Sequence, residues 1–493
     1  MIVTTVAALF AAASSANGYT LVVDKPDDDG AEHTLRWAIL QSNARGGGGR
    51  IEIDPGADPQ RPLVIQVNSL LPNITRPVVI EGKHRVAGEA PRVVVDGTRI
   101  VDDTTTASCP AENHVGSGPN VRSLQKPGLA VVDSGHIEIS GLEIRHFCIG
   151  VLLLRSHDNH IHHNVVHDMV GAAGIMITGD DGTAAGGSTK GLSTNNVVER
   201  NVIYDTGDGG ECTRGTTNTT YQYNVFFQSS PNTVSPRSQG VECAGEGNAG
   251  IRFLYNWFSG YSDGLQLNSA NDVTVMGNII TNSTYGITAA GNGIVVKDNT
   301  ISGNRMGVGL TGTSRATISQ NRIFGNGQPI VSLPTSAGGT TDPASPVRLG
   351  IDLGIDGPTP NDPAGSCADG APDCDTGPNE LQNFPVLDAG SHWEANGTVT
   401  LRGTLASRPN ATLTVEFFAG YARNVAVLGE GEIYLGAETV RTNAAGVATF
   451  TFVSHGSPFR DGTRGAFFTA TAAAVFNTSS ATSEFSAPLW LSR

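Results

Sequence analysis

Apolar and polar residues alternate in short runs along most of the chain, a two-residue period that predicts strands. Tyr19–Val23 is the first such run. Thr34–Asn43 instead shows helical periodicity and stops at the glycines Gly46–Gly49, so a short amphipathic helix is expected within an N-terminal cap spanning 19–56. From about residue 50 the runs are β-like, as in Leu63–Val67, Val78–Gly82 and Arg92–Gly97, each bounded by turn residues. An asparagine followed by two mostly apolar residues then recurs at Asn164, Asn201, Asn224, Asn256, Asn278, Asn299 and Asn321, the last four spaced by 22, 21 and 22 residues. A glycine opening a short strand keeps step at Gly150, Gly174, Gly240, Gly264, Gly286 and Gly307. Two landmarks in phase, with several short strands per period, predict a solenoid of stacked coils. The asparagines are expected to form an internal ladder at a turn, bonding the coils above and below.

This phased pattern resembles the right-handed parallel β-helix family, pectate-lyase-like, over roughly residues 50 to 335. The resemblance implies an all-β solenoid. That fold carries pectate lyases, polygalacturonases, other glycosidases, tailspikes and adhesins, so chemistry has to come from the site. The 33–38 segment is similar to the Cys-Ser-Leu-Arg-Glu-Ala motif of bacterial surface and secreted β-helix proteins, with His33 in place of the cysteine and Trp37 in place of the glutamate. The expected organisation is a signal peptide at 1–16, the cap, a β-helix over 57–340, an Asp/Gly/Pro-rich linker over 341–382 and a β-sandwich over 383–493. The sandwich rests on clean alternation in Thr412–Phe418 and Val447–Phe452.

Composition narrows the partners. Only 16% of residues are charged, and 31 basic against 46 acidic residues give a net charge of −15 without a basic stripe. Nucleic acid is therefore not expected, and neutral glycans are favoured over strongly anionic polymers. The apolar Ile2–Ala13 followed by Ser14, Ser15 and Ala16 reads as an export signal, placing the protein outside the cell or on its surface. No further stretch is long enough to span a bilayer. The six cysteines are too few to frame the fold; Cys367 and Cys374 are expected to form a disulfide, and Cys212 and Cys243 to stack inside the solenoid.

Two coils are longer than the period, Asn164 to Asn201 and Asn224 to Asn256, with inserts at Gly179–Gly191 and Ser229–Ser238. Surplus residues must leave a solenoid as loops, so these coils mark the functional face. With Gly209 as the landmark of the coil between them, Glu211 and Glu242 point outward on adjacent coils about 4.8 Å apart, flanked by Asp208 and Asp263. Paired carboxylates at that spacing suit a glycoside hydrolase, one as raised-pKa acid and one ionised. Arg214 and Arg237, with Tyr255, Trp257, Tyr261 and Gln266, are candidates to bind sugar. The residues Gly210–Asn224 bear a loose similarity to β-helix alginate and chondroitin lyases, which implies a calcium-assisted lyase as the alternative, with Arg214, Arg237 or Lys190 as base. A second alternative is a non-catalytic adhesin, the coils serving as a stiff spacer. The linker carboxylates Asp352, Asp356, Asp362, Asp373 and Asp375 either collect Ca²⁺ or are merely solvated. His157, His160, His162, His163 and His167 match no metal motif and read as solvated strand and turn residues. The expected protein is thus a monomeric, secreted, polysaccharide-degrading enzyme, needing no cofactor if a hydrolase.

Overall fold

The short alternating runs stack coil upon coil in a computed structural model that describes residues 18–58, 60–83, 89–102, 109, 126–180, 191–229, 238–327, 349–363, 365–367, 370, 372–421, 429–459, 466–476 and 479–491. The expected export signal lies outside these residues. One parallel sheet runs through eleven strands, from Thr20–Val23 and Gly49–Ile53 through Glu138–Ser140, His160–His162 and Val197–Glu199 to Asn292–Lys297 and Arg315–Ser319. The remaining faces of each coil form further parallel strands, and the chain is a right-handed parallel β-helix. Inward residues stack in columns. Ile51, Ile80, Ile139, Ile161, Val198, Tyr221, Phe253, Val275, Val296 and Ile318 follow one another in register, and all are buried. Each large side chain in such a column contributes about 1.5–3 kcal/mol by leaving water.

The asparagine ladder forms as expected. From Asn201 to Asn321 each amide oxygen accepts from the backbone N–H and the Nδ2 of the preceding rung, as Asn256 does from Asn224 at 2.9 and 3.0 Å. Its own Nδ2 reaches back to Tyr221 O at 2.9 Å. The buried amides at this corner thereby satisfy one another and the neighbouring backbone. The glycine landmarks allow the coils to approach. A Cβ on Gly209 would lie 2.5 Å from the Gly240 carbonyl oxygen, a distance no side chain tolerates.

At the N-terminus the helix Leu35–Ala44 buries Leu35, Ala38 and Ile39, with Thr34 as its N-cap. Cys212 and Cys243 are in register, buried and unbridged, whereas Cys367 and Cys374 are bonded. The sequence had not indicated the second disulfide, Cys109 to Cys148.

The stretch expected to be linker is largely built into the fold. Ile351–Leu353 pairs in parallel with Met306–Leu310 as a further rung. Asn379 is buried, bonding Ala316 and Thr482. The C-terminal part folds as two antiparallel sheets, one around Val399–Ala406 and one around Thr412–Tyr421, sharing a core that includes Leu401, Val415, Phe417, Phe452 and Phe468.

Three carboxylates dock this domain onto the β-helix. Glu416 accepts from Ser319 Oγ and Gln320 N, and Glu484 from Leu353 N. Glu430 ends a ladder of its own, accepting from Gly325 N at 2.8 Å and from Asn326 N and Nδ2 at 3.0 and 2.9 Å. Burial pushes the Glu430 carboxyl up to about 7 from 4.5, against the pull of those donors. The folded protein therefore holds a proton here that the unfolded chain releases, so this group's stabilisation is full below pH 4.5 and is lost as pH rises through about 7. Glu430→Gln, which mimics the protonated form, is expected to flatten the fall of the urea midpoint between pH 5 and 8, by an amount on the order of 2 kcal/mol. Equal pH slopes for both proteins would contradict this.

Candidate functional site

The Val202–Thr213 and Gln239–Ala244 strands lie side by side, pairing Glu211 with Glu242 and Cys212 with Cys243. Gly209 is thus the landmark of its coil. The outward column continues as Leu152, Met176, Glu211, Glu242, Gln266 and Thr288. One carboxylate oxygen from each of Asp208, Glu211 and Glu242 lies within 4.8 Å of the others.

The expected solvent exposure of this pair is overturned. Asp208, Glu211 and Glu242 are only 5%, 0% and 2% exposed. Strand alternation sets which way a side chain points, not whether the face it reaches is covered. Here the acidic side chains on that face are buried, and beside them Ala130, Leu152, Leu154, Ala173 and Met176 pack as a separate buried apolar cluster. Ala173 is in register with Asp208 and Met176 with Glu211, so the carboxylates adjoin an apolar wall.

Asp263 stands one coil further on and is also buried, accepting from Thr288 Oγ1 at 2.7 Å and Ser262 Oγ at 3.0 Å. Burial pushes its carboxyl up to about 6, and the charge of Glu242 adds to the rise. Asp208 accepts from Gln239 N at 2.9 Å. All four expected acidic residues therefore fall in one neighbourhood.

The substrate-binding candidates divide. Arg214 sits at the turn ending its strand and pairs at 3.6 Å with Asp180, a buried carboxylate that the sequence reading missed because only the fold brings the start of the insert to this turn. Gln266 is half-buried beside Glu242. Tyr255 and Trp257 are exposed on either side of Asn256, at a different corner of the coil, where Tyr255 stacks on Tyr223 at 5.4 Å. Tyr261 is fully buried beneath Gly209 and contributes to the core, not to a sugar-binding surface. Arg237, Lys190 and most of both inserts lie outside the described residues. The linker carboxylates are not gathered: Asp352 is buried in the last rung and Asp373 bonds Gln382 and Ser407. Asp375 faces Asp362, its carboxyl pushed up to about 6 by burial, by that neighbour and by the charge of Asp373. Among the described residues these five form no group of three converging ligands.

The family model described as "Periplasmic copper-binding protein (NosD)" matches residues 74–241 and 177–340, between them more than half of the chain. A curated protein of Acinetobacter baylyi named 3-dehydroshikimate dehydratase is 34% identical over 452 residues, covering 87% of this chain and 88% of that protein. The chain belongs to this family, and its coils to the NosD family. Among solved structures, a pectate lyase shares 13% identity over 70% of this chain and 88% of its own, with a TM-score of 0.39. An alginate lyase from Paenibacillus shares 14% over 61% and 94%, with a TM-score of 0.38. These values carry nothing about chemistry.

No helix among the described residues is long and apolar enough to cross a membrane. Of the histidines expected to be solvated, His157 is exposed, whereas His160, His162 and His167 are engaged. His167 is buried, and although burial opposes its charging, Asp168 at 2.7 Å and Glu143 at 3.3 Å push it up to about 9. It stacks on Tyr204 at 4.7 Å. His160 and His162 stand half-buried on one strand, beside Glu138 and Glu199.

Proposed function

We propose that this protein is a dehydratase that eliminates water from a small polyhydroxylated cyclic keto acid of the 3-dehydroshikimate type. The observation that carries this reading is the buried group Asp208, Glu211 and Glu242, converging within 4.8 Å against an apolar wall. A polymer, whether cleaved by a hydrolase or by a lyase, needs an open groove over its catalytic carboxylates; a covered cluster suits a small ligand. A stiff spacer has no need of three acids brought within 4.8 Å of one another, an arrangement that like-charge repulsion makes costly. The relationship to a protein named for this dehydration extends along nearly the whole chain.

Elimination from a β-hydroxy ketone needs a base and an acid. The base takes the proton from the carbon next to the ketone, the released electron pair forms the C=C bond, the C–O bond of the β-hydroxyl breaks, and the acid protonates the departing oxygen to water. Neighbouring carboxylates that repel one another's charge are the pattern in which one serves as acid and another as base. Glu211 and Glu242 are assigned to the two proton transfers, Asp208 and Asp263 to setting their charge, and Arg214 to orienting the substrate carboxylate.

The copper of the family description does not fit this cluster, whose donors are all hard carboxylate oxygens. Ca²⁺ or Mg²⁺ fits them better, and such an ion would polarise the ketone oxygen. The apolar run Ile2–Ala13 and the two disulfides support an oxidising compartment outside the cytoplasm.

The test is incubation with 3-dehydroshikimate, with and without chelator, following the ultraviolet absorbance of the aromatic product. Growth of that absorbance is expected, with an acidic limb near pH 6 as the buried Asp263 beside Glu242 takes up its proton. No turnover of 3-dehydroshikimate, together with release of reducing ends from a neutral polysaccharide, would overturn the proposal in favour of a glycoside hydrolase.

A further inference from the structure

His160 and His162 are two residues apart on the strand His160–His162, so both imidazoles leave the same face of the eleven-stranded sheet. Glu138 lies on the neighbouring strand in register with His160, and Glu199 on the other side in register with His162. The imidazole centroids are 4.1 Å apart. A ligand atom from each of Glu138, His160 and His162 lies within 4.8 Å of the others. The backbone holding them is a paired central strand, which fixes the geometry better than a loop does.

His162 Nδ1 is 2.7 Å from His163 Nδ1, so one of these nitrogens donates to the other and the His162 ring is held in place. Its Nε2 lies 3.2 Å from Glu138 Oε1, a separation that a nitrogen and an oxygen bound to one ion also adopt. His160 Nε2 is set against Glu199 at 3.1 Å, and Glu199 is itself held by Gln222 at 2.6 Å and Arg200 at 2.9 Å. This is how outer partners orient metal-ligating imidazoles.

We propose that Glu138, His160 and His162 bind a divalent first-row transition ion of imidazole preference, Zn²⁺ or Cu²⁺, on the outer face of this sheet. Two imidazoles and one carboxylate, with remaining positions open to water, suit such an ion and not Ca²⁺ or Mg²⁺. Bound there, the ion ties together the coils that carry Glu138 and His160. The site is separate from the buried Asp208 cluster and does not depend on the dehydratase reading.

The test uses the full chain, stripped with chelator and titrated with Co²⁺ and Cu²⁺. One equivalent is expected, with a tetrahedral-type Co²⁺ absorption band and Cu²⁺ spin-resonance splitting from two nitrogens. The double variant H160Q/H162Q is expected to lose both signals. The double variant H136Q/H157Q, at the exposed neighbouring group of His136, His157 and Asp158, keeps them. Should the first variant not fold, His163→Ala, which removes only the outer partner, is expected to weaken binding roughly 10- to 100-fold. Absence of binding by the wild type, binding unchanged in H160Q/H162Q, or loss only in H136Q/H157Q would each overturn the proposal.

Discussion

Glu211→Gln is expected to lower kcat for 3-dehydroshikimate by about a thousand-fold, the usual range for removing a positioned acid or base, while leaving the protein folded and more resistant to urea. The two effects share one cause. Glu211 is buried within 4.8 Å of Asp208 and Glu242, so its charge is repelled by theirs and poorly solvated. The amide removes the repulsion and with it the proton transfer. Stabilisation of about 1–2 kcal/mol is expected, in keeping with one pKa unit of interaction per 1.36 kcal/mol. Glu242→Gln should behave alike. Steady-state kinetics and urea melts on the same preparations check both parts. A variant that loses activity through destabilisation would show that Glu211 is structural, and one that keeps activity would remove it from the chemistry.

Asn256→Ala is expected to be the most destabilising single substitution in the middle of the β-helix, costing about 3–5 kcal/mol. The amide oxygen of Asn256 accepts from Asn224 N and Nδ2, and its Nδ2 donates to Tyr221 O and to Asn278 Oδ1. Alanine orphans two donors and a carbonyl in the buried interior, and each unsatisfied group costs about 1–3 kcal/mol. The loss should spread to the adjacent coils, because a solenoid is held by nearest-neighbour contacts. Asn271→Ala is the control: its Oδ1 accepts from Asn292 N at 2.9 Å at an exposed position, and a change within about 0.5 kcal/mol is expected. Urea midpoints compare the two directly, and equal effects would mean that the ladder adds nothing beyond surface bonding.

Much of this was legible before any coordinates. The phased asparagines and glycines are sequence marks of a physical repeat, since each bent corner needs an amide and each close approach needs a missing Cβ. They therefore carried the fold, the register through Gly209, and the pairing of Glu211 with Glu242. The pairing of Cys367 with Cys374 followed from their short separation, whereas Cys109 and Cys148, 39 residues apart, gave no such signal. Tyr261 was misread because an aromatic residue near the inserts looks the same whether it faces in or out.

What is periodic follows from the order of residues: the winding of the coils, the columns of inward residues and the outward direction of the acids depend only on residue spacing and strand alternation. Tertiary structure alone decided what those outward side chains meet. It buried Asp208, Glu211 and Glu242, brought Asp180 to Arg214, capped the Asn326 rung with Glu430, and set Glu138 against His162. Each of these joins residues through coil stacking or domain docking, where environment and not spacing fixes charge and chemistry.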